Sequence, residues 1–344
     1  MQKFPSQRSV VMANTGLVAT SQPLAAVAGA KILMDGGNAI DAAVATAAML
    51  NVVEPMSTGV GGDAFALTYI AKSNQLTALN ASGRAPNAIS IDAVKRLGHA
   101  EMPETGPLPI TVPGTVDGWE KILKRHGSMP LREVLKPAIQ YAEQGFPVTE
   151  IIAAAWREHE AILHSTPYLI NGHTPRPGEI FKNLELAQTL RSIAEGGAAA
   201  FYNSILTEKI VTHVQSIGGY LAKADFQNHT STWDEPISTT YHDVKVYECP
   251  PNGQGAIALM ALNILEGFDL QSIEYGSASY YHHLIEALKL AFADGFAHIA
   301  DPAQSQVPIE KMLSKEYAAS RRKLIDPKRA RQNATTGLPR GGTV

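Results

Sequence analysis

The chain has 344 residues, long enough for one large domain or two ordinary ones with a substantial core. Its 29 Lys plus Arg against 32 Asp plus Glu leave a net charge of −3, which argues against nucleic acid or an anionic membrane as a partner. A single cysteine, Cys249, excludes an internal disulfide and reads as a packing residue, and no apolar run approaches the ~20 residues that span a bilayer.

The first nine residues carry charge with no continuous apolar segment behind them, so they do not read as a secretory signal. The expectation is a cytoplasmic protein, or an exported one whose signal has been removed. Residues 17–20 read as a short strand. Ser21 then offers an N-cap with Pro23 in the first turn of a helix reaching about residue 34, and Asp35-Gly36-Gly37 ends it. Asn38 caps an alanine-rich helix over 39–53, with Asp41 in its first turn, and capping accounts for both polar residues. Residues 65–71 and 76–79 are apolar and flank the turn Lys72-Ser73-Asn74-Gln75, which predicts a hairpin.

Prolines and glycines predict a loop-rich crossing over 86–113, followed by helices over 115–126, 131–144 and 149–163. In the last of these, His159 and His164 are five residues apart and point about 140° from one another, which is the wrong spacing for a zinc helix. An extended loop over 166–181 precedes helices over 184–195 and 204–217. Residues 239–241 and 244–247 read as a hairpin, and the turn 250–255 leads into a helix over 256–265. A long helix over 280–298 carries His282, His283 and Glu286, expected to be solvated or capping. The basic residues Arg321, Arg322, Lys323, Lys328, Arg329 and Arg331 are expected to cover an exposed helix. Helices and short strands mix without a regular βαβ rhythm, so the class is α+β, read as one domain over 1–344 with a flexible tail over 333–344.

The organising stretch is 58–86. Gly59, Gly61 and Gly62 are read as permitting unusual backbone angles and close approaches. The arrangement Gly59-x-Gly61-x-x-Ala64 does not describe a dinucleotide site, because a helix precedes it and a strand follows. The hairpin delivers Arg84 between Gly83 and Ala85-Pro86. An isolated arginine is by default a surface or ion-paired residue, but small neighbours at a strand end leave room for a ligand, and a planar guanidinium suits a carboxylate.

Five separated motifs carry a resemblance. Residues 36–45 (GGNAIDAAVA), the Gly61-Gly62-Asp63-Ala64-Phe65 loop, Gly83-Arg84-Ala85-Pro86, Val112-Pro113-Gly114-Thr115-Val116 and the 250–255 turn (PPNGQG) recur together, in this order, in the γ-glutamyltransferases. The chain resembles the large, N-terminal subunit of such an enzyme, a member of the N-terminal nucleophile hydrolases. The resemblance implies a four-layer αββα sandwich and no cofactor or metal. It also implies a small C-terminal subunit cut from the same precursor as partner, and glutathione or another γ-glutamyl amide as donor. Arg84 would hold the donor's α-carboxylate.

In that family the precursor cuts itself before a threonine, whose freed amine and hydroxyl then act as base and nucleophile. An α-amino group with a pKa near ~8 can take the hydroxyl proton at neutral pH. Thr343, after Gly341-Gly342, is the processing candidate, while Thr335-Thr336 resembles the doublet found in many members. The oxyanion donors and most substrate contacts would lie in the small subunit. Alternatives on the same fold are a cephalosporin or glutaryl acylase and a poly-γ-glutamate hydrolase; from another class, a binding protein that has lost the chemistry.

Overall fold

A computed structural model of the protein describes residues 9–164 and 166–339. Residues 17–20 form no strand, and Leu17 is exposed; strand propensity without a pairing partner does not make a strand. The first helix is α1 (Pro23–Met34), capped by Gln22, whose side chain accepts the Leu24 and Ala25 amides, so the cap lies one residue past Ser21. Gly36, with φ of +94°, ends it. Helix α2 (Ala39–Val53) opens with a capping box in which Asn38 and Asp41 satisfy one another's backbone amides. Asp41 is fully buried and also accepts the Ser128 and Met129 amides and the Ser128 hydroxyl, at 2.6 Å for the last.

The expected hairpin is formed by β1 (Ala64–Ile70) and β2 (Gln75–Ala81). The crossing that follows holds a helix unread from the sequence, α3 (Ile91–Arg96), capped by Ser90. Next come α4 (Thr115–His126) and α5 (Leu131–Gln144), with Val116, Trp119, Ile122, Val134 and Leu135 buried. A two-residue strand β3 (Phe146–Pro147) leads to α6 (Glu150–Arg157), which stops before the predicted end and gives way to a 3₁₀ turn over Glu160–Ile162. β3 pairs antiparallel with β4 (Ile180–Phe181), placing Phe146, Phe181 and Trp156 edge to face. Helices α7 (Leu184–Gly196), α8 (Ala199–Tyr202), α9 (Ile205–Ser216) and α10 (Lys223–Gln227) follow.

Strand β5 (Thr232–Asp234) pairs antiparallel with β2, Leu79 opposite Trp233, giving sheet order β1-β2-β5. The hairpin β6 (Ile237–Tyr241) and β7 (Val244–Glu248) turns at His242, with φ of +51°. Cys249 is half-buried. Then come α11 (Gly255–Leu265), α12 (Ala278–His298), α13 (Ile309–Met312) and α14 (Lys315–Arg322). No helix among the described residues is long and apolar enough to cross a membrane.

The described residues divide into two compact units, one holding residues 65–80 and 232–339, the other Ser9–Ala64 and Ala81–Ser231. The second is helical, built on α1 against α2 and α5 against α7. In the first, α11 packs against α12, α14 and β6. The class is α+β, as expected.

Three sequence readings are corrected in the first unit. His283 and Glu286 are buried rather than solvated, Glu286 accepting the Arg331 amide and Lys289. Arg321 is buried beside Asp294, and Arg322 donates to the Asn263 and Ile264 carbonyls, so two members of the basic run serve the interior. Residues 333–339, the described part of the expected tail, lie along α12, with Leu338 in a cluster of Ile257, Met260, Ala291 and Tyr317. Leu338 is the apolar anchor that a polar-looking segment concealed.

Candidate active site

Arg84 lies three residues past the end of β2, and hydrogen bonds tie three distant segments around it. The Gly83 amide donates to Asp63 Oδ1 at 3.0 Å, and the Val112 amide donates to the Arg84 carbonyl at 3.0 Å. The Gly114 and Thr115 amides both donate to the Gly62 carbonyl at 3.0 Å. Glycine is required at two of these positions because backbones meet. A Cβ on Gly83 would overlap the Val112 carbonyl oxygen, and one on Gly114 the Ala81 carbonyl oxygen. Gly59, Gly61 and Gly62 take no positive φ, contrary to the expectation of unusual angles there; only at Gly62 is space tight, where a Cβ would lie 3.2 Å from the Gly59 carbonyl oxygen.

The same unit adds a polar cluster from the start of α4 and from residues 229–231. Asp117 accepts the Ser231 amide at 2.6 Å. Lys121, 3.4 Å from Asp117, donates to the Ser231 carbonyl at 2.5 Å and to the Thr230 hydroxyl. Tyr202 donates its hydroxyl to the Pro113 carbonyl at 2.7 Å and accepts the Asp117 amide at 3.2 Å. Burial pushes its phenol well above the usual tyrosine range. His229 stacks on the Tyr202 ring at 5.4 Å between centroids, and neither of its buried ring nitrogens has a partner among the described residues. Burial lowers the His229 pKa; Asp117 and Asp63 oppose the shift, while Arg84 and Lys121 reinforce it. Asp63 is pushed up by desolvation of its carboxyl, against the Gly83 amide and the His229 charge.

Arg84 itself is exposed, and its guanidinium has no ion pair among the described residues. Its main chain is therefore fixed while its side chain is available. Thr343 lies outside the described residues. Thr335 and Thr336 are described: the Thr335 carbonyl accepts from Arg321 at 2.7 Å, and Thr336 Oγ1 lies 3.0 Å from His298 Nε2. The 250–255 turn packs on the hairpin of its own unit, Asn80 donating to Asn252 at 2.9 Å and Gly253 approaching the Phe65 ring. Sequence reading missed Asp63, Asp117, Tyr202 and His229. Asp63 stood inside a quoted motif, whereas Tyr202 and His229 stand in no local pattern.

The gamma-glutamyltranspeptidase family model matches residues 25–344. The chain is 43% identical over 314 residues to the glutathione hydrolase-like YwrD proenzyme of Bacillus subtilis (strain 168), covering 90% of this chain and 59% of that protein. It is 32% identical to the glutathione hydrolase proenzyme of the same strain, covering 98% of this chain and 59% of the relative. Among solved structures it is similar to cephalosporin acylase from Bacillus halodurans, with a TM-score of 0.87, 44% identity, and 94% of this chain and 62% of that one covered. Helicobacter pylori gamma-glutamyltranspeptidase gives a TM-score of 0.88 at 30% identity, over 97% of this chain and all of that one. The chain thus spans 59% of the length of these curated relatives.

Proposed function

The chain belongs to the gamma-glutamyltranspeptidase family, and from that membership we propose that it is the larger, N-terminal part of a self-cleaving enzyme that transfers or hydrolyses the γ-glutamyl group of glutathione or a related amide. Its fold is that of its solved relatives, the N-terminal nucleophile hydrolases.

In this reading the Thr343 hydroxyl attacks the Gly342 carbonyl. The new C–O ester bond replaces the Gly342–Thr343 C–N bond, and the departing nitrogen takes the hydroxyl proton. Water then cleaves the ester, leaving a Gly342 carboxylate and a Thr343 with a free amine. That amine accepts the hydroxyl proton as the oxygen attacks the donor amide, and passes it to the leaving amine. The γ-glutamyl ester on Thr343 is released by water or by an acceptor amine. Arg84 holds the donor's α-carboxylate throughout, with two parallel hydrogen bonds from its planar fork. The small C-terminal part of the precursor completes the site.

The observation that carries this reading is the lacing of the 59–63, 82–84 and 111–115 segments, which fixes the Arg84 backbone while its guanidinium stays exposed. With the backbone held, only the side-chain rotamers remain to be ordered when a carboxylate arrives. Similarity to a cephalosporin acylase at 44% identity favours a second reading, a glutaryl acylase. A glutaryl group is a γ-glutamyl group without its α-amine, so Arg84 would serve both.

Intact mass of the expressed full-length protein tests the first step. Two fragments, the smaller beginning at Thr343, support the enzyme, and a single uncut chain supports a non-catalytic binder. On the processed pair, a higher kcat/KM for γ-glutamyl-p-nitroanilide than for glutaryl-p-nitroanilide supports the transferase, and the reverse order supports the acylase.

A further inference from the structure

A buried ion pair in the first unit makes contacts with the segment that precedes the proposed cut. Asp294 and Arg321 are 0% and 3% exposed, and Arg321 Nε sits 3.0 Å from Asp294 Oδ2 as a charge contact without hydrogen-bond alignment. Burying two charges seldom repays their desolvation unless their remaining donors and acceptors are used. Here, among the described residues, two of the three hydrogen bonds the pair makes go to one stretch of chain. Arg321 Nη2 donates to the Thr335 carbonyl at 2.7 Å and to the Leu290 carbonyl at 3.2 Å, and Asp294 Oδ1 accepts the Gly337 amide at 2.8 Å.

The residues between and beside these contacts are held as well. Thr336 Oγ1 lies 3.0 Å from His298 Nε2 and accepts the Leu338 amide at 3.2 Å, while the Leu338 side chain enters the core beside Tyr317. Gly337 has no room for a side chain: a Cβ would lie 2.6 Å from Tyr317 Oη and 2.9 Å from Arg321 Nη1. Four consecutive residues are thus gripped, two of them through their backbones.

We propose that Asp294 and Arg321, with Tyr317 and His298, form a clamp whose task is to position residues 335–338 so that the Gly342–Thr343 peptide is delivered for self-cleavage. The inference rests on the processing reading above. Its physical basis is tethering. Leu338 and Thr343 are five positions apart in sequence, a reach of at most about 18 Å. Fixing one end of so short a tether confines the reacting peptide to a small volume, and intramolecular reactions gain from such confinement. All four side chains act through the segment they hold, residues 335–338, so they are positioning residues.

The test follows conversion of full-length precursor into two fragments over time. Substitutions of Asp294 leave Arg321 buried without its partner and threaten folding, so the informative variants keep both charges of the pair. Thr336→Val removes the hydroxyl, Gly337→Ala wedges a methyl group against Tyr317 and Arg321, and Arg321→Lys keeps the charge but loses the fork. Each is expected to slow cleavage at least ten-fold, while Thr336→Ser restores the wild-type rate. Thermal midpoints measured in a cleavage-dead Thr343→Ala background separate positioning from unfolding. The proposal is overturned if the three variants cleave at the wild-type rate, or slow only in proportion to lost folded precursor. Those outcomes leave the processing reading standing. A wild-type precursor that stays whole, or is cut before Thr335 or Thr336, overturns both.

Discussion

The Val112 amide donates to the Arg84 carbonyl at 3.0 Å, so the backbone of the proposed carboxylate-binding residue is fixed by a segment 28 residues away in sequence. That bond forms only because the chain on either side comes close, with Gly83 against Val112 and Gly114 against Ala81. Main chain thus positions Arg84, and the side chain is left for a ligand. The arrangement predicts that damage to the glycines and damage to the arginine will have different signatures.

Gly83→Ala tests the first. The added methyl group would overlap the Val112 carbonyl oxygen, and no rotamer relieves a Cβ clash with backbone. Overpacking of this kind costs about 1–3 kcal/mol. The expected outcome is a lower thermal midpoint in calorimetry together with a raised KM in the processed enzyme, since strand and loop must part and Arg84 moves with them.

Arg84→Lys tests the second. Lysine keeps the charge at an exposed site but replaces two parallel hydrogen bonds with a point charge. A charged hydrogen bond contributes about 1.5–3 kcal/mol, so KM should rise by about ten-fold or more, with kcat and self-cleavage little changed. An unchanged KM for γ-glutamyl-p-nitroanilide would remove Arg84 from the site.

Asp41 should matter for stability alone. It is fully buried and gathers four donors: the amides of Asn38, Ser128 and Met129 and the Ser128 hydroxyl. Burial opposes its ionisation, yet these bonds prevail and hold its pKa below 3.8. Asp41→Ala leaves them unanswered, at a cost of about 2–4 kcal/mol in denaturant unfolding, more than loss of a helix cap alone. The depressed carboxyl adds stability that is present above its unfolded pKa and is lost as pH falls through the folded one, so the Asp41→Ala penalty should shrink in acid.

How far the sequence discloses this molecule depends on how local each signal is. Asn38 with Asp41, Ser204 before α9 and Ser277 before α12 each cap a helix within three residues, and their helices were legible. Helix α3 was not: six residues between proline-rich stretches carry too little periodicity, although Ser90 marks its start. Arg321 looked like one of a basic run because its partner Asp294 lies 27 residues earlier. A helical count from buried Tyr317 would have turned it inward. The motifs around Arg84 were visible one by one, but the hydrogen bonds joining them depend on backbone approach, which composition does not encode. His229 had no signal at all.

That histidine supplies the last prediction. Burial lowers its pKa below the unfolded value of 6.5, and the charges facing it partly cancel: Asp117 and Asp63 oppose the shift, Arg84 and Lys121 favour it. Between the folded and unfolded values the unfolded chain binds more protons, so acid favours unfolding. The stability contributed by neutral His229 is complete above the unfolded pKa and is lost as pH falls through the folded one. His229→Phe keeps an aromatic ring to stack on Tyr202 but cannot titrate. Thermal midpoints from about pH 7.5 to about pH 5.5 should therefore fall less steeply in the variant than in the parent. Equal slopes would mean that the buried ring nitrogens gain a partner that keeps the imidazole protonated as readily as in the unfolded chain, and a steeper fall in the variant would reverse the assigned sign.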